Sequence, residues 1–409
     1  MKEKMIKYAN VLLKTCLKVE KDQPLLINAN VERIDFVRIL AQEAYKLGVK
    51  DIYYDFVDPY LKHDGLKNLD IEDLKKSSIW NKDVWNEYAK KNAAFLMLTS
   101  ETPGLMKDID PKKVNEMTVY AFNTRKVFDD MRDKSQLAWC IAAVPTEAWA
   151  KKIFPKVKNP VNKLWNKIFE ICQIDKENPE QIWDEIIKQL TKTTEKLNKH
   201  SFQYLKYTNS RGTDFTIELP DKHIWASAGE LINNKKRVLV NFPTLEIFTS
   251  PNKDSATGIV YSSKPLSYQG VIIDDFSIQF ENGVAVGCKA KKSQNALKEM
   301  INSCENSNRL GEVALVEYSS PISESKIVFY ETLYDENASC HLALGDSFPE
   351  CIENGVNLSR EELTERGLNK CVNHVDFMIG TEDLNISGIT PDGKEVQIFK
   401  NGNFTKDFK

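Results

Sequence analysis

The sequence predicts an α/β amino-terminal domain with a mostly parallel sheet, followed by a β-rich α+β carboxy-terminal domain. Three observations predict it. Strand-like runs alternate with helical periodicity through the first half, which indicates a parallel sheet covered by helices. After Ser201 short alternating runs punctuated by Gly, Asn, Pro and Ser take over. The chain is 409 residues long, and domains of roughly 100–200 residues make two the natural count. The boundary is expected near 200, giving domains 1–200 and 201–409.

The elements follow in order. Met5, Tyr8, Val11, Leu12 and Thr15 recur at helical spacing and predict an amphipathic helix over about 2–18. Pro24–Asn28 reads as a strand, and Ile34, Val37, Ile39, Leu40, Ala44 and Tyr45 as a second helix stopped at Gly48. Asp51–Val57, Ala93–Thr99 and Leu137–Val144 read as further strands, the last ended by Pro145. From about 160 to 199 the signal is helical, with Ile182, Ile186, Ile187, Leu190 and Leu197 on one face. Phe215–Leu219 and Arg237–Asn241 then alternate as strands.

Composition removes several functions. Lys+Arg 56 against Asp+Glu 59 leaves a net charge of −3, too balanced for a protein that works through phosphate-backbone contacts. No apolar run approaches the ~18–20 residues of a membrane span, and Met1–Lys7 lacks the apolar centre of a secretory signal. Eight scattered cysteines without a CxxC pair read as reduced thiols of a cytoplasmic protein. Phosphate-cradling glycine motifs are missing: Asn28-Ala29-Asn30-Val31-Glu32-Arg33 follows the first strand where a GxGxxG would stand. No GxSxG nucleophile elbow occurs either. The layered half therefore reads as scaffold.

The informative residues lie in the second half. In Asn373-His374-Val375-Asp376-Phe377, a strand would place His374 and Asp376 on one face and Val375 and Phe377 on the other. That pair is either a two-ligand metal bite or an ordinary His–Asp hydrogen bond. His341 stands among small and apolar residues, where it is either a ligand or a core histidine satisfied by a carbonyl. Cys340 would point away from His341, and Cys371 has a CxxH spacing to His374 but no second such pair. Glu246, between Pro243 and Pro251, and Glu312, in Leu310–Val316, are acids in apolar, turn-bounded settings. Each is either an outward-facing acid or a buried one in need of a cation. Brought together, Glu246, Glu312, His341, His374 and Asp376 would form an oxygen-rich, nitrogen-containing set suited to two divalent metals.

Four segments in this order, Pro243–Pro251, Leu310–Val316, Glu331–Gly345 and Asn373–Thr381, resemble the thermophilic-type metallo-aminopeptidases, the family of aminopeptidase T and aminopeptidase S. The resemblance implies a dinuclear exopeptidase that releases amino-terminal residues from peptides with a free amino terminus. It implies two divalent metals, zinc or cobalt first, with magnesium or manganese as alternatives. The implied ligands are Glu246, Glu312, His341, His374 and Asp376, with Glu336 at a further ligand position and Glu312 as bridging ligand or general base. Family members often carry tyrosine seven residues after the histidine of the third segment; here Phe348 stands there and can neither ligate nor donate a proton. A homodimer is implied, with the first domain shaping access and assembly and the second holding the metals. No nucleic-acid or membrane partner is expected. The competing readings are a metal-dependent hydrolase of other amides, a non-catalytic binding protein on the same scaffold, and a nucleotide-binding regulator.

Overall fold

Five of the six residues of Leu25–Asn30 (β1) are buried, the pattern of a strand covered on both faces. It pairs in parallel with Ile52–Val57 (β2) on one side and Ala94–Thr99 (β3) on the other. Beyond β3 lies Trp139–Ala143 (β4), and the two-residue strand Asn241–Phe242 completes the sheet, again in parallel. Parallel neighbours need crossover connections. Helix Ile34–Lys46 links β1 to β2, and helices Pro59–Asn68, Ile71–Ser77 and Ile79–Lys90 lead to β3. Helices Pro111–Thr124 and Lys126–Asp133 connect β3 to β4. The computed structural model describes residues 1–77, 79–227, 229–233 and 235–409. Among these no helix is long and apolar enough to cross a membrane.

Local differences from the sequence expectation have local causes. The first helix is α-helical over Lys2–Val11 and continues as a π-helical segment, Leu12–Cys16. The helical stretch 160–199 is two helices, Pro160–Ile171 and Pro179–His200, each opening on a proline whose missing N–H is tolerated in a first turn. Arg237–Asn241 divides between two sheets. Lys236–Val238 pairs with Glu230–Ile232, whereas Asn241–Phe242 joins β4.

The same switch alters the division of the chain. Instead of one boundary near 200, the compact units are Met1–Glu185 with Gly229–Thr244, and Ile186–Ala228 with Leu245–Lys409. The first change falls inside helix Pro179–His200. The excursion at 229–244 belongs to the first unit because Phe242 is buried there, 4.7 Å from Trp183 and 6.0 Å from Tyr8 between ring centroids. A short apolar segment is placed by what buries it, and sequence distance does not reveal that.

The second unit is β-rich. A nine-stranded antiparallel sheet runs from Leu266–Tyr268 through Val271–Glu281 to Asn403–Phe404. A five-stranded antiparallel sheet contains Ala226–Ser227 (β5), Ile247–Thr249 (β6), Leu310–Leu315 (β7), His341–Gly345 (β8) and His374–Met378 (β9), in the order β9-β8-β7-β6-β5. Val313, Leu315, Leu342, Leu344 and Phe377 of the small sheet share one apolar core with Leu205, Phe215, Ile217, Val260, Ile278 and Ile386 of the large one. One face of the small sheet is thus committed to the core, and alternation leaves the other face for polar groups.

Candidate metal centre

That other face gathers the acids and histidines. Glu312 on β7, Ala343 on β8 and Asp376 on β9 stand in register across three strands. His374 pairs with Gly345, and His341 with Ala314. In-register neighbours project to the same side with Cβ atoms about 4.5–5.5 Å apart. The small Ala314, Ala343 and Gly345 therefore leave room between the functional side chains. The ladder shifts between Leu310 and Glu312, a bulge at Gly311. Without it Leu310 and Glu312 would share a face; with it Leu310 enters the core and Glu312 turns to the site. Any Cβ on Gly311 would meet the Asp346 carbonyl oxygen at 2.0 Å, so glycine is required at the bulge.

Glu246 directly precedes β6, and Glu336 ends the short helix Thr332–Glu336. Two triads have donor atoms mutually within 4.8 Å: Glu246, Glu312 and His341; and Glu312, His374 and Asp376. Glu312 is common to both. His341 Nε2 lies 3.3 Å from Glu246 Oε2, and His374 Nε2 lies 3.0 Å from Glu312 Oε2 and 3.2 Å from Asp376 Oδ1. Glu336 is buried beside this cluster but belongs to neither triad. Its backbone is used as well, because His341 Nδ1 donates to the Glu336 carbonyl at 3.0 Å. His374 Nδ1 donates likewise to the Asp346 carbonyl at 2.9 Å. Both rings thus carry their proton on Nδ1 and aim Nε2 at the carboxylates, the arrangement that fixes a ligating tautomer.

Burial makes this set demanding. Glu246, Glu312, Glu336 and His341 are buried, whereas His374 and Asp376, on edge strand β9, are partly exposed and mark the open side. Burial pushes Glu312 up to about 7, with Asp376 adding and His374 opposing. Glu336 is driven well above the usual range by burial, then by Asp376, Glu246 and Glu312. Burial resists charging of His341, yet Glu246 and then Glu312 bring it up to about 9. Burial would raise Asp376, but the neighbouring His374 holds it down at about 2. Only added protons or cations make four clustered acids tolerable here. Two nitrogens and several carboxylate oxygens are a donor set that divalent metals fit.

Three residues beyond the predicted set position the site. Asn337, fully buried, accepts from Leu245 N–H at 2.6 Å and donates to the Leu333 carbonyl at 3.0 Å. It joins the approach to Glu246 to the helix that ends in Glu336. Asp346 orients His374 through its carbonyl. Phe348 packs its ring 4.8 Å from the His374 imidazole and 5.3 Å from Phe248, so this position holds the imidazole by contact and offers no hydroxyl. Asn337 lies in the third segment, but nothing in its own spacing marks it, whereas Phe348 stands seven residues after His341, where the family resemblance had drawn attention to it. Cys340 sits in the apolar core and Cys371 lies against Cys304, neither within a triad. Of the remaining histidines, His63 contacts Asp64 and Asp108, His223 contacts the Pro220 carbonyl, and His200 stacks on Phe202.

Comparison with known proteins agrees along the whole chain. Aminopeptidase AmpS of Bacillus subtilis is 39% identical over 404 residues, 98% of each chain. Aminopeptidase T of Thermus thermophilus is 30% identical over 403 residues, again 98% of each. The solved structure of wild-type AmpT from Thermus thermophilus superposes with a TM-score of 0.90 at 29% identity, covering 98% of this chain and 99% of that one. A 2,5-dihydroxypyridine dioxygenase from Pseudomonas putida shares the fold alone, at a TM-score of 0.53 and 12% identity. Residues 1–404 match the family described as thermophilic metalloprotease (M29), and the chain belongs to that family.

Proposed function

We propose that this protein is a metal-dependent aminopeptidase that releases amino-terminal residues from peptides at a centre for two divalent metals, zinc or cobalt in the first instance. The observation that carries the reading is Glu312, shared by two triads that each add one histidine and one acid. Glu246 and His341 would hold one metal, His374 and Asp376 the other, and Glu312 would bridge them. Glu336, buried beside both triads, is assigned the further ligand position, while its carbonyl holds His341 Nδ1. Bound divalent metals supply a polarised carbonyl and a water acidic enough to attack it near neutral pH.

The chain supplies proton transfer and orientation. Glu312, common to both triads, serves as bridging ligand or as the general base that takes the attacking water's proton and returns it to the leaving amine. His374 and His341, fixed through Nδ1, keep Nε2 directed inward. The same reading assigns access and assembly to the amino-terminal half, in a cytoplasmic homodimer.

Chelation with metal counting tests this. Stripping should abolish hydrolysis of leucyl substrates, zinc or cobalt should restore it, and the active protein should hold two metals per chain. An N-acetylated leucyl substrate should resist cleavage, whereas cleavage of it would favour an amidase of other substrates. Undiminished activity in fully stripped protein, or in His341→Ala, would overturn the assignment.

A further inference from the structure

Away from the metal-binding face, two thiols meet across segments that are distant in sequence. Cys304 lies between helix Gln294–Ile301 and β7, and Cys371 lies just before β9. Their sulfurs are 3.2 Å apart. The segments carrying them are clamped on both sides: Asn306 Nδ2 donates to the Lys370 carbonyl at 3.1 Å and Asn369 Nδ2 to the Asn306 carbonyl at 3.0 Å. Asn373 Nδ2 donates to Ser303 Oγ at 2.9 Å. The segments that carry the thiols are therefore tied to each other by three asparagine side chains.

We propose that Cys304 and Cys371 form an oxidisable dithiol that hydroperoxides convert to a disulfide, tying the segment that leads to Glu312 to the one that leads to His374. A disulfide needs sulfurs about 2.05 Å apart, so closure asks for a relative movement of about 1 Å from the 3.2 Å contact. Access favours Cys304 as the attacking sulfur. It is partly exposed, whereas Cys371 is buried. The hydrogen bond from Cys371 holds the Cys304 thiol down at about 6, helped by Ser303 and the Val372 N–H. A thiolate available at neutral pH is the form that attacks peroxide.

The chemistry balances. Cys304 thiolate attacks one peroxide oxygen, an S–O bond forms as the O–O bond breaks, and hydroxide leaves, taking a proton to become water. Cys371 sulfur then attacks the sulfenic sulfur. The S–S bond forms, the S–O bond breaks, and the departing hydroxide leaves as water with the Cys371 proton. The two sulfurs together lose two electrons and the peroxide gains them.

Hydrogen peroxide on the full-length, metal-loaded protein tests this, read by intact mass and peptide mapping. The expected result is a loss of 2 Da, disappearance of two of the eight thiols, a linked peptide pair containing Cys304 and Cys371, and full reversal by dithiothreitol. Cys304→Ser and Cys371→Ser should each lose the 2 Da change while keeping reduced-state peptidase activity. The proposal is overturned if oxidation falls first on Cys288, the other partly exposed thiol. It is equally overturned if Cys304 advances to sulfinic acid while Cys371 stays free, or if the mass loss persists in either serine variant.

Discussion

Replacing Glu312 by glutamine should separate stability from activity. In the metal-free protein the Glu312 carboxyl is raised from 4.5 to about 7, by burial first and Asp376 next, against His374. Between those values the folded chain keeps a proton that the unfolded chain has released. Stability therefore falls as pH rises through that window. At 1.36 kcal/mol per pH unit, the span from 4.5 to about 7 is worth about 3 kcal/mol. Glutamine cannot ionise, has nearly the same shape, and still offers an oxygen to His374 Nε2, now 3.0 Å away. Metal-free Glu312→Gln should thus be more stable than metal-free wild type at pH 8, by up to about 3 kcal/mol, and level with it below pH 4.5. Activity should move the other way. Loss of a general base costs roughly 10²–10⁴-fold, or about 3–5 kcal/mol of barrier, and loss of the shared oxygen should lower metal content as well. Denaturant unfolding of chelated proteins at pH 4 and pH 8, leucyl-substrate kinetics and metal counting provide the readouts. Wild-type kcat/KM with two metals bound would refute the role of Glu312. A metal-free variant less stable than wild type at pH 8 would refute the electrostatic account.

Further outcomes follow from the neighbours of the acids. Ala343→Leu places a branched side chain in register between Glu312 and Asp376; metal content should fall, with overpacking costing about 1–3 kcal/mol, and unchanged metal affinity would show that the face has spare room. Asn337→Ala leaves the Leu245 N–H, now bonded at 2.6 Å, without its acceptor. It should cost about 1–3 kcal/mol in denaturant unfolding and weaken metal retention, and a variant equal to wild type in both measurements would deny Asn337 its positioning role.

The layered half was largely legible because its central strands β1 and β3 are mostly buried and its helices recur at 3.6-residue spacing. β1 to β4 lie where the apolar runs stand, to within a residue or two at each end. Asn241–Phe242 was not legible as the fifth strand, since two residues carry no period and only burial against Tyr8 and Trp183 places them. In the site, the shared face of His374 and Asp376 follows from strand alternation alone. The orientation of Glu312 does not, because the bulge at Gly311 reverses the parity that simple counting would assign. The carbonyl of Glu336 shows the same limit: its bond to His341 Nδ1 is set by the fold and is not written in the motif.

The sequence by itself determined the class of each half, the set of acids and histidines worth examining, and, through four ordered segments, the family. Those are properties of local pattern and residue chemistry. Tertiary structure alone decided which donors converge, which nitrogen of each imidazole faces inward, and that Glu312 is common to two triads. Convergence depends on strand register and on backbone carbonyls brought in from Glu336 and Asp346, and neither is written in the spacing of the residues they serve.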